Sequence, residues 1–292
     1  MRVTKGHGTG NDFVLIDDRD GALEMGPDLV RALADRHTGV GGDGVIRVAP
    51  DPAGWFMDYR NADGSPAEMC GNGVRVFAAF ARRLGLWDGT GELAVVTRAG
   101  PRPVRRVADP TGADADWYTV SMGRWHLPGG PDAVAGGGDA EVRVAGVGTV
   151  PGLRVDVGTP HTVVVLPDDG ALVAADLSGP PVVAPTPPDG TNVELVVPLG
   201  ESAGAAGPVG ELRMRVHERG VGETRSCGTG AVAAAVAAAT WAGAGAPADW
   251  WVRVPGGTLQ VTLSGDRADL AGPAVLVADL EGAPAALTTP TA

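Results

Sequence analysis

Short apolar runs rich in β-branched residues recur at close intervals along the chain. They include FVLID (13–17), GVIRV (44–48), WFMDYR (55–60), LAVVT (93–97) and WYTVSM (117–122), followed by LRVDV (153–157), HTVVVL (161–166), NVELVV (192–197) and LRMRVHE (212–218). Each is strand-length and bounded by turn residues, so each predicts a β-strand, and WWVRVPGGTLQVTL (250–263) predicts a hairpin about Pro-Gly-Gly. A helical period appears at 27–37, 71–85 and from 228 to about 241, with a further helix expected at 170–177. The Gly/Pro-rich stretches 128–142 and 178–192 read as surface loops, the second flanking a site. Arg82, Arg83 and the segment 102–108 read as solvated faces. GHGTG (6–10) lacks the GxGxxG spacing, with no strand of proper length before it and no helix after it, which argues against a dinucleotide site.

Composition changes this picture in a few respects. A chain of 292 residues predicts about two domains, and 4% aromatics with 46 glycines and 24 prolines favours short strands and turns over a helical bundle. A net charge of −12 argues against a nucleic-acid surface. No apolar run is long enough for a membrane span and the N-terminus has no signal core, so a cytoplasmic location is expected. HERGV (217–221) lacks the second histidine of a zincin helix, the remaining histidines are scattered, and the two cysteines are too distant for a zinc knuckle, so no metal is expected. The single lysine, Lys5, is in no Schiff-base context.

The two cysteines belong to a repeat. An offset of 157 positions carries MDYRNADGSPAEMCGNG, from Met57, onto MRVHERGVGETRSCGTG, from Met214, without a gap. Asn61 then meets Glu218, Cys70 meets Cys227, and Gly71 and Gly73 meet Gly228 and Gly230. Both copies read as strand, turn, Cys-Gly-x-Gly, helix, which predicts two similar domains, each with a cysteine at a helix N-terminus.

Free N–H groups and the positive end of the helix dipole attract a carboxylate and favour a thiolate. Two such termini facing one ligand would hold one thiolate and one thiol, because adjacent thiolates repel. A base and an acid on opposite faces of a carbon are what inversion of a stereocentre requires, without cofactor. The same residues also leave open a non-catalytic amino-acid-binding protein, or a redox switch in which Cys70 and Cys227 pair on oxidation.

GHGTGNDF, RNADGSPAEMCGNGVR, GTPH, TNVE and HERGVGETRSCGTGA together resemble the signature segments of the diaminopimelate epimerases, in the family's order. The resemblance implies an α+β fold of two pseudo-symmetric domains, each a curved, mostly antiparallel sheet or barrel around a central helix, with the active site in the cleft between them. The first domain would hold residues 1–120 plus about 272–285, and the second residues 121–271. The implied reaction is cofactor-independent interconversion of LL- and meso-diaminopimelate, a small-molecule substrate, by a protein that is commonly a homodimer in the family. By position, Cys70 and Cys227 would be the acid/base pair, supported by His161 and Glu218. Gly71, Asn72, Gly228 and Thr229 would hold the reacting carboxylate, and Asn11, Asn61, Asn192, Glu218 and Arg219 the polar ends of the substrate. Arg219 suits a distal carboxylate, with a structural pairing to Glu223 as its alternative, and Asn11 and Asn61 have turn residues as theirs. Two positions depart from the family pattern: Thr159 stands where many members have Asn, and Gly44 where many have Gln. Both bear on distal recognition, which keeps a racemase for another amino acid as an alternative.

Overall fold

The computed structural model describes residues 1–112, 115–204 and 207–282. The chain divides into two compact units, Met1–Ser121 with Gly272–Ala292 and Met122–Ala271. In chain order the elements are β1 (Arg2–Gly8), β2 (Asn11–Asp17), α1 (Pro27–Ala34), β3 (Gly44–Asp51), β4 (Gly54–Asn61), α2 (Gly71–Arg83), β5 (Glu92–Thr97), β6 (Gly100–Val107) and β7 (Trp117–Arg124), along which the unit boundary falls. There follow α3 (Gly130–Gly136), β8 (Ala140–Val144), β9 (Gly148–Asp156), β10 (Pro160–Val165), α4 (Asp169–Ala174), β11 (Val182–Ala184), β12 (Asn192–Gly204), β13 (Gly207–Glu218), β14 (Gly222–Thr224), α5 (Gly228–Ala242), β15 (Asp249–Val254), β16 (Gly257–Ser264), β17 (Arg267–Pro273) and β18 (Val275–Glu281).

The two units share one pairing scheme. In unit 1, β1–β2 is antiparallel, β2–β3 parallel, β3–β4 antiparallel, β4–β5 parallel, and β5–β6 and β6–β7 antiparallel. In unit 2 the same series runs through β9–β10, β10–β12, β12–β13, β13–β15, β15–β16 and β16–β17. The parallel joints need crossovers, which α1 and α4 supply at the first joint and α2 and α5 at the second. A further strand adds at the start of each, β18 on β1 and β8 on β9. The strands of each unit form a mixed, largely antiparallel array that does not close into a barrel among the described residues.

The central helices fit this scheme because they are apolar on nearly every side. Gly71 to Ala81 of α2 are all buried, and α5 from Gly228 to Ala238 is buried except at Thr229. α2 packs against β1 to β6 and β18, and α5 against β9, β10, β12, β13, β15 and β16, so each sheet curves around its helix. Small side chains let the strands approach; a Cβ at Gly8 would lie 3.2 Å from Arg75 Nη2 and 3.2 Å from the Asn72 carbonyl oxygen.

Four sequence expectations change. The helix predicted over 27–37 ends at Ala34, because Asp35 turns its carboxylate onto the amides of His37 and Thr38. The stretch 128–142 is not all loop: Pro131 opens α3, and the alternating Ala140, Val142 and Val144 go into the core. Residues 102–108 lie largely in β6, where Val104 is buried while Arg105 and Arg106 reach solvent. GHGTG is the end of strand β1 and its turn, with Thr9 at φ 50° and Gly10 at φ 83°.

Candidate active site

In unit 1 helix α2 starts at Gly71, leaving Cys70 extended (φ −140°, ψ 118°) as the N-cap. Its Sγ accepts from the Gly73 N–H at 3.4 Å, one of the donors a helix start leaves unpaired. The thiol donates to Asn11 Oδ1 at 3.4 Å, and Asn72 Nδ2 donates to the same oxygen at 3.3 Å. Asn11 Nδ2 donates to Asp43 at 2.6 Å, so the amide is held at both ends, which goes beyond a turn role. Asp43 and Asp12 are in turn held by Arg36. Burial works to raise the Asp12 carboxyl, but Arg36 and Lys5 outweigh it and hold Asp12 well below the ordinary carboxylate range.

Gly44 stands opposite Asn61 in the β3–β4 ladder. A Cβ there would come within 2.6 Å of the Tyr59 ring, so this position admits no side chain and can offer a ligand only backbone. Asn61 also keeps its turn, donating from Nδ2 to Ser65 Oγ at 3.1 Å while its carbonyl accepts from Gly64.

Unit 2 repeats the geometry. Cys227 (φ −121°, ψ 118°) caps α5, its Sγ accepting from the Gly230 N–H at 3.3 Å with Thr229 Oγ1 at 3.4 Å. Beside it lies a buried polar chain: Thr159 Oγ1 is 2.9 Å from His161 Nε2, and His161 Nδ1 is 2.7 Å from Glu194 Oε1, with both His161 and Glu194 side chains fully enclosed. Thr159 thus spends its hydroxyl on orienting His161. Burial and the Glu194 charge raise the Glu218 carboxyl above its ordinary value, against the pull of Thr224, His161 and Cys227. Burial, then Glu218 and Glu194, push the Cys227 thiol well up, outweighing Thr229 and the Gly230 N–H.

Asn192 Oδ1 accepts from the Arg219 backbone N–H at 2.8 Å, and the exposed Arg219 guanidinium donates to the Asp189 carbonyl. The pairing of Arg219 with Glu223 does not form: Glu223 is taken by Arg215 at 2.7 Å. No carboxylate among the described residues pairs with Arg219, so its fork is available to a ligand. Arg219, His161, Pro187, Asp189 and Thr191 line one cavity; the stretch 178–192 is not all loop, since it forms strand β11 at Val182–Ala184, and its segment 187–191 flanks the cavity.

Registers extend the repeat beyond its sequence match. Gly44 faces Asn61 and Phe13, while Asn192 precedes the Val193–His217 pair, so falls opposite Glu218, and faces His161. Asn11 is thereby equivalent to Thr159, Phe13 to His161, Gly44 to Asn192, and Ile46 to Glu194. The helices agree: a Cβ at Gly73 would meet Ile46 and Phe13, and one at Gly230 would meet Glu194 at 2.6 Å. Sequence reasoning missed Glu194 and Arg75. Their signal was a lone charge inside an otherwise apolar strand or helix.

Among the described residues no group of three His, Cys, Asp or Glu is placed to hold a metal, and no helix is long and apolar enough to cross a membrane. The family profile described as diaminopimelate epimerase matches residues 3–126 and 153–277. The chain is 46% identical to the diaminopimelate epimerase of Mycolicibacterium smegmatis over 95% of each chain, and 47% identical to that of Streptomyces coelicolor over 95% of this chain and 93% of the relative. Among solved structures, a phenazine biosynthesis protein of the PhzF family from Bacillus anthracis aligns with a TM-score of 0.67 at 16% identity, covering 96% of this chain and 98% of that one. A hydroxyproline epimerase from Agrobacterium vitis aligns with a TM-score of 0.59 at 14% identity, covering 97% and 91%. At those identities the two structures share the fold alone. The sequence relatives and the profile go further: this chain belongs to the diaminopimelate epimerase family.

Proposed function

We propose that this protein interconverts LL- and meso-diaminopimelate by proton transfer between Cys70 and Cys227, acting from opposite faces of one α-carbon. The observation that carries the reading is the repeat of one thiol-capped helix start in both units, with matching backbone angles and the same Sγ–N–H contact. In one direction the thiolate takes the α-proton, the carbanion's charge spreads onto the carboxylate, and the opposing thiol returns a proton with inversion. Gly71, Asn72, Gly228 and Thr229 offer helix-start N–H groups to that carboxylate. His161 and Glu218 set the charge around Cys227, while Asn11, Gly44, Asn61 and Asn192 position the substrate and Thr159 acts on it through His161. Arg219 fits the distal carboxylate, because a guanidinium matches two oxygens at once. Having no carboxylate partner of its own among the described residues, that fork favours a substrate with two carboxylates over a monocarboxylic amino acid. A cytoplasmic location suits this reading, since reducing conditions keep both thiols free.

The test is reduced protein with LL-diaminopimelate in D2O, followed by chiral separation and mass spectrometry. The expected result is meso product carrying one deuterium at an α-carbon. Deuterium entering a different amino acid, and not diaminopimelate, would overturn the substrate while keeping the thiol pair.

A further inference from the structure

Arg75 is the most unusual side chain of unit 1. It lies one turn into α2 and is 0% exposed. Buried guanidinium groups are ordinarily matched by a carboxylate, since an uncompensated charge in the interior is costly. Arg75 instead donates to three neutral acceptors: Asn72 Oδ1 at 2.9 Å, the Gly71 carbonyl at 3.3 Å and Thr9 Oγ1 at 3.4 Å. Its Nε has no hydrogen-bond partner, and no carboxylate among the described residues pairs with it.

The carboxylates on the surrounding strands are engaged elsewhere. Asp12 holds Lys5 and Arg36, Asp43 holds Arg36 and Asn11, and Asp58 holds Arg47, Arg60 and Arg98. On β18, Asp279 holds Arg83 and Arg2, and Arg82 of α2 itself reaches Asp116. His7, between Gly6 and Gly8 on β1, points to the face of the strand away from α2. Burial pulls the Arg75 guanidinium down to about 10, against the charge of Cys70, so it keeps its proton at neutral pH.

We propose that Arg75 is a positioning residue that makes Cys70 the resting thiolate, supplying the buried positive charge that balances the sulfur and holding the Asn72–Asn11 amide chain against it. This rests on the acid/base role of Cys70 given above. Arg75 fixes the Asn72 side-chain carbonyl, which turns the Asn72 amide NH2 onto Asn11 Oδ1, the oxygen that accepts the Cys70 thiol hydrogen bond. When the thiol proton is lost to solvent, the sulfur keeps the Gly73 N–H donor and the electrostatic influence of Arg75, while Asn72 engages the negative end of the Asn11 carbonyl. Unit 2 has the opposite arrangement. The offset of the repeat places Val232 where Arg75 stands, and Glu194 with His161 where unit 1 has Ile46 with Phe13. Cys227, facing Glu194 and Glu218, is the resting thiol.

The pH dependence of iodoacetamide alkylation tests this without any substrate. In protein carrying Cys227→Ala, so that Cys70 alone reacts, Arg75→Gln should slow alkylation at neutral pH about tenfold or more, with the midpoint moving up by roughly one pH unit. Arg75→Lys, which keeps the charge, should stay within about threefold of the parent. Equal rates and midpoints in all three proteins would overturn the proposal. Should Arg75→Gln fail to fold, judged by circular dichroism, the parents decide. Cys70 in the Cys227→Ala protein must titrate at lower pH than Cys227 in the Cys70→Ala protein, and an equal or reversed order overturns the proposal. An unmutated protein that does not epimerise diaminopimelate would count against the proposed function and leave these thiol readouts standing.

Discussion

In unit 1 the start of the central helix rests on Phe13 and Ile46 and encloses Arg75; in unit 2 the equivalent helix start rests on His161 and Glu194 and has Val232 at the Arg75 position. The backbones match closely at the cysteines, with ψ 118° at both, and the electrostatics are reversed. The difference teaches that the repeat conserves geometry and varies charge. Helix-start N–H groups recur in both units because each repeat begins its central helix directly after the cysteine. A buried cation in unit 1, and the enclosed Glu194 with the neighbouring Glu218 in unit 2, break the symmetry between the two thiols.

The largest effect should come from removing either thiol. Cys70→Ala and Cys227→Ala should each lower epimerisation by at least about a thousandfold with thermal stability little changed, as measured by product formation and melting. Retained turnover in one of them would show that the two half-sites are not partners in one reaction.

A smaller effect sharpens the contrast between the halves. Glu194→Gln removes a buried negative charge near Cys227 while keeping an acceptor for His161. The alkylation midpoint of Cys227, measured in a Cys70→Ala background, should fall by about one pH unit, towards that of Cys70. A midpoint that stays where it was would remove Glu194 from the account.

The smallest effect concerns stability. The folded-state value of Glu218 is raised by burial and by Glu194, so its contribution to stability is fully present below the unfolded carboxylate range and is lost as pH rises through the raised value. Glu218→Gln should therefore gain stability relative to the parent on going from pH 4 to pH 7.5, by a few °C in Tm on the order expected for a chain of this size. A difference in Tm that is the same at both pH values would contradict the raised carboxyl.

Much of this was legible in the residues. Strands from 13–17 to 212–218 follow from their alternation, helix α2 from its apolar periodicity and helix α5 from its run of alanines. The offset of 157 and the family signatures located Cys70, Cys227 and their neighbours. Short-range signals failed where neighbours decide. Asp35 ends α1 by bonding forward, Val104 makes a strand of an arginine-rich segment by packing inward, and Glu223 goes to Arg215 although Arg219 is nearer in sequence. Gly44 looked like the loss of a recognition side chain. The β3–β4 ladder makes it a position with no room for one.

By itself the sequence determined the repeat, the two thiols at helix starts and the kind of reaction they suit, because those depend on residue type and spacing along one chain. Which groups surround each thiol was decided by tertiary structure alone. Phe13 and Ile46 reach Cys70's helix, and His161 and Glu194 reach that of Cys227, through strand registers that pair residues tens of positions apart. Burial then gives those few charges their weight, since a charge enclosed without its usual counter-ion acts on whatever ionisable group is nearest.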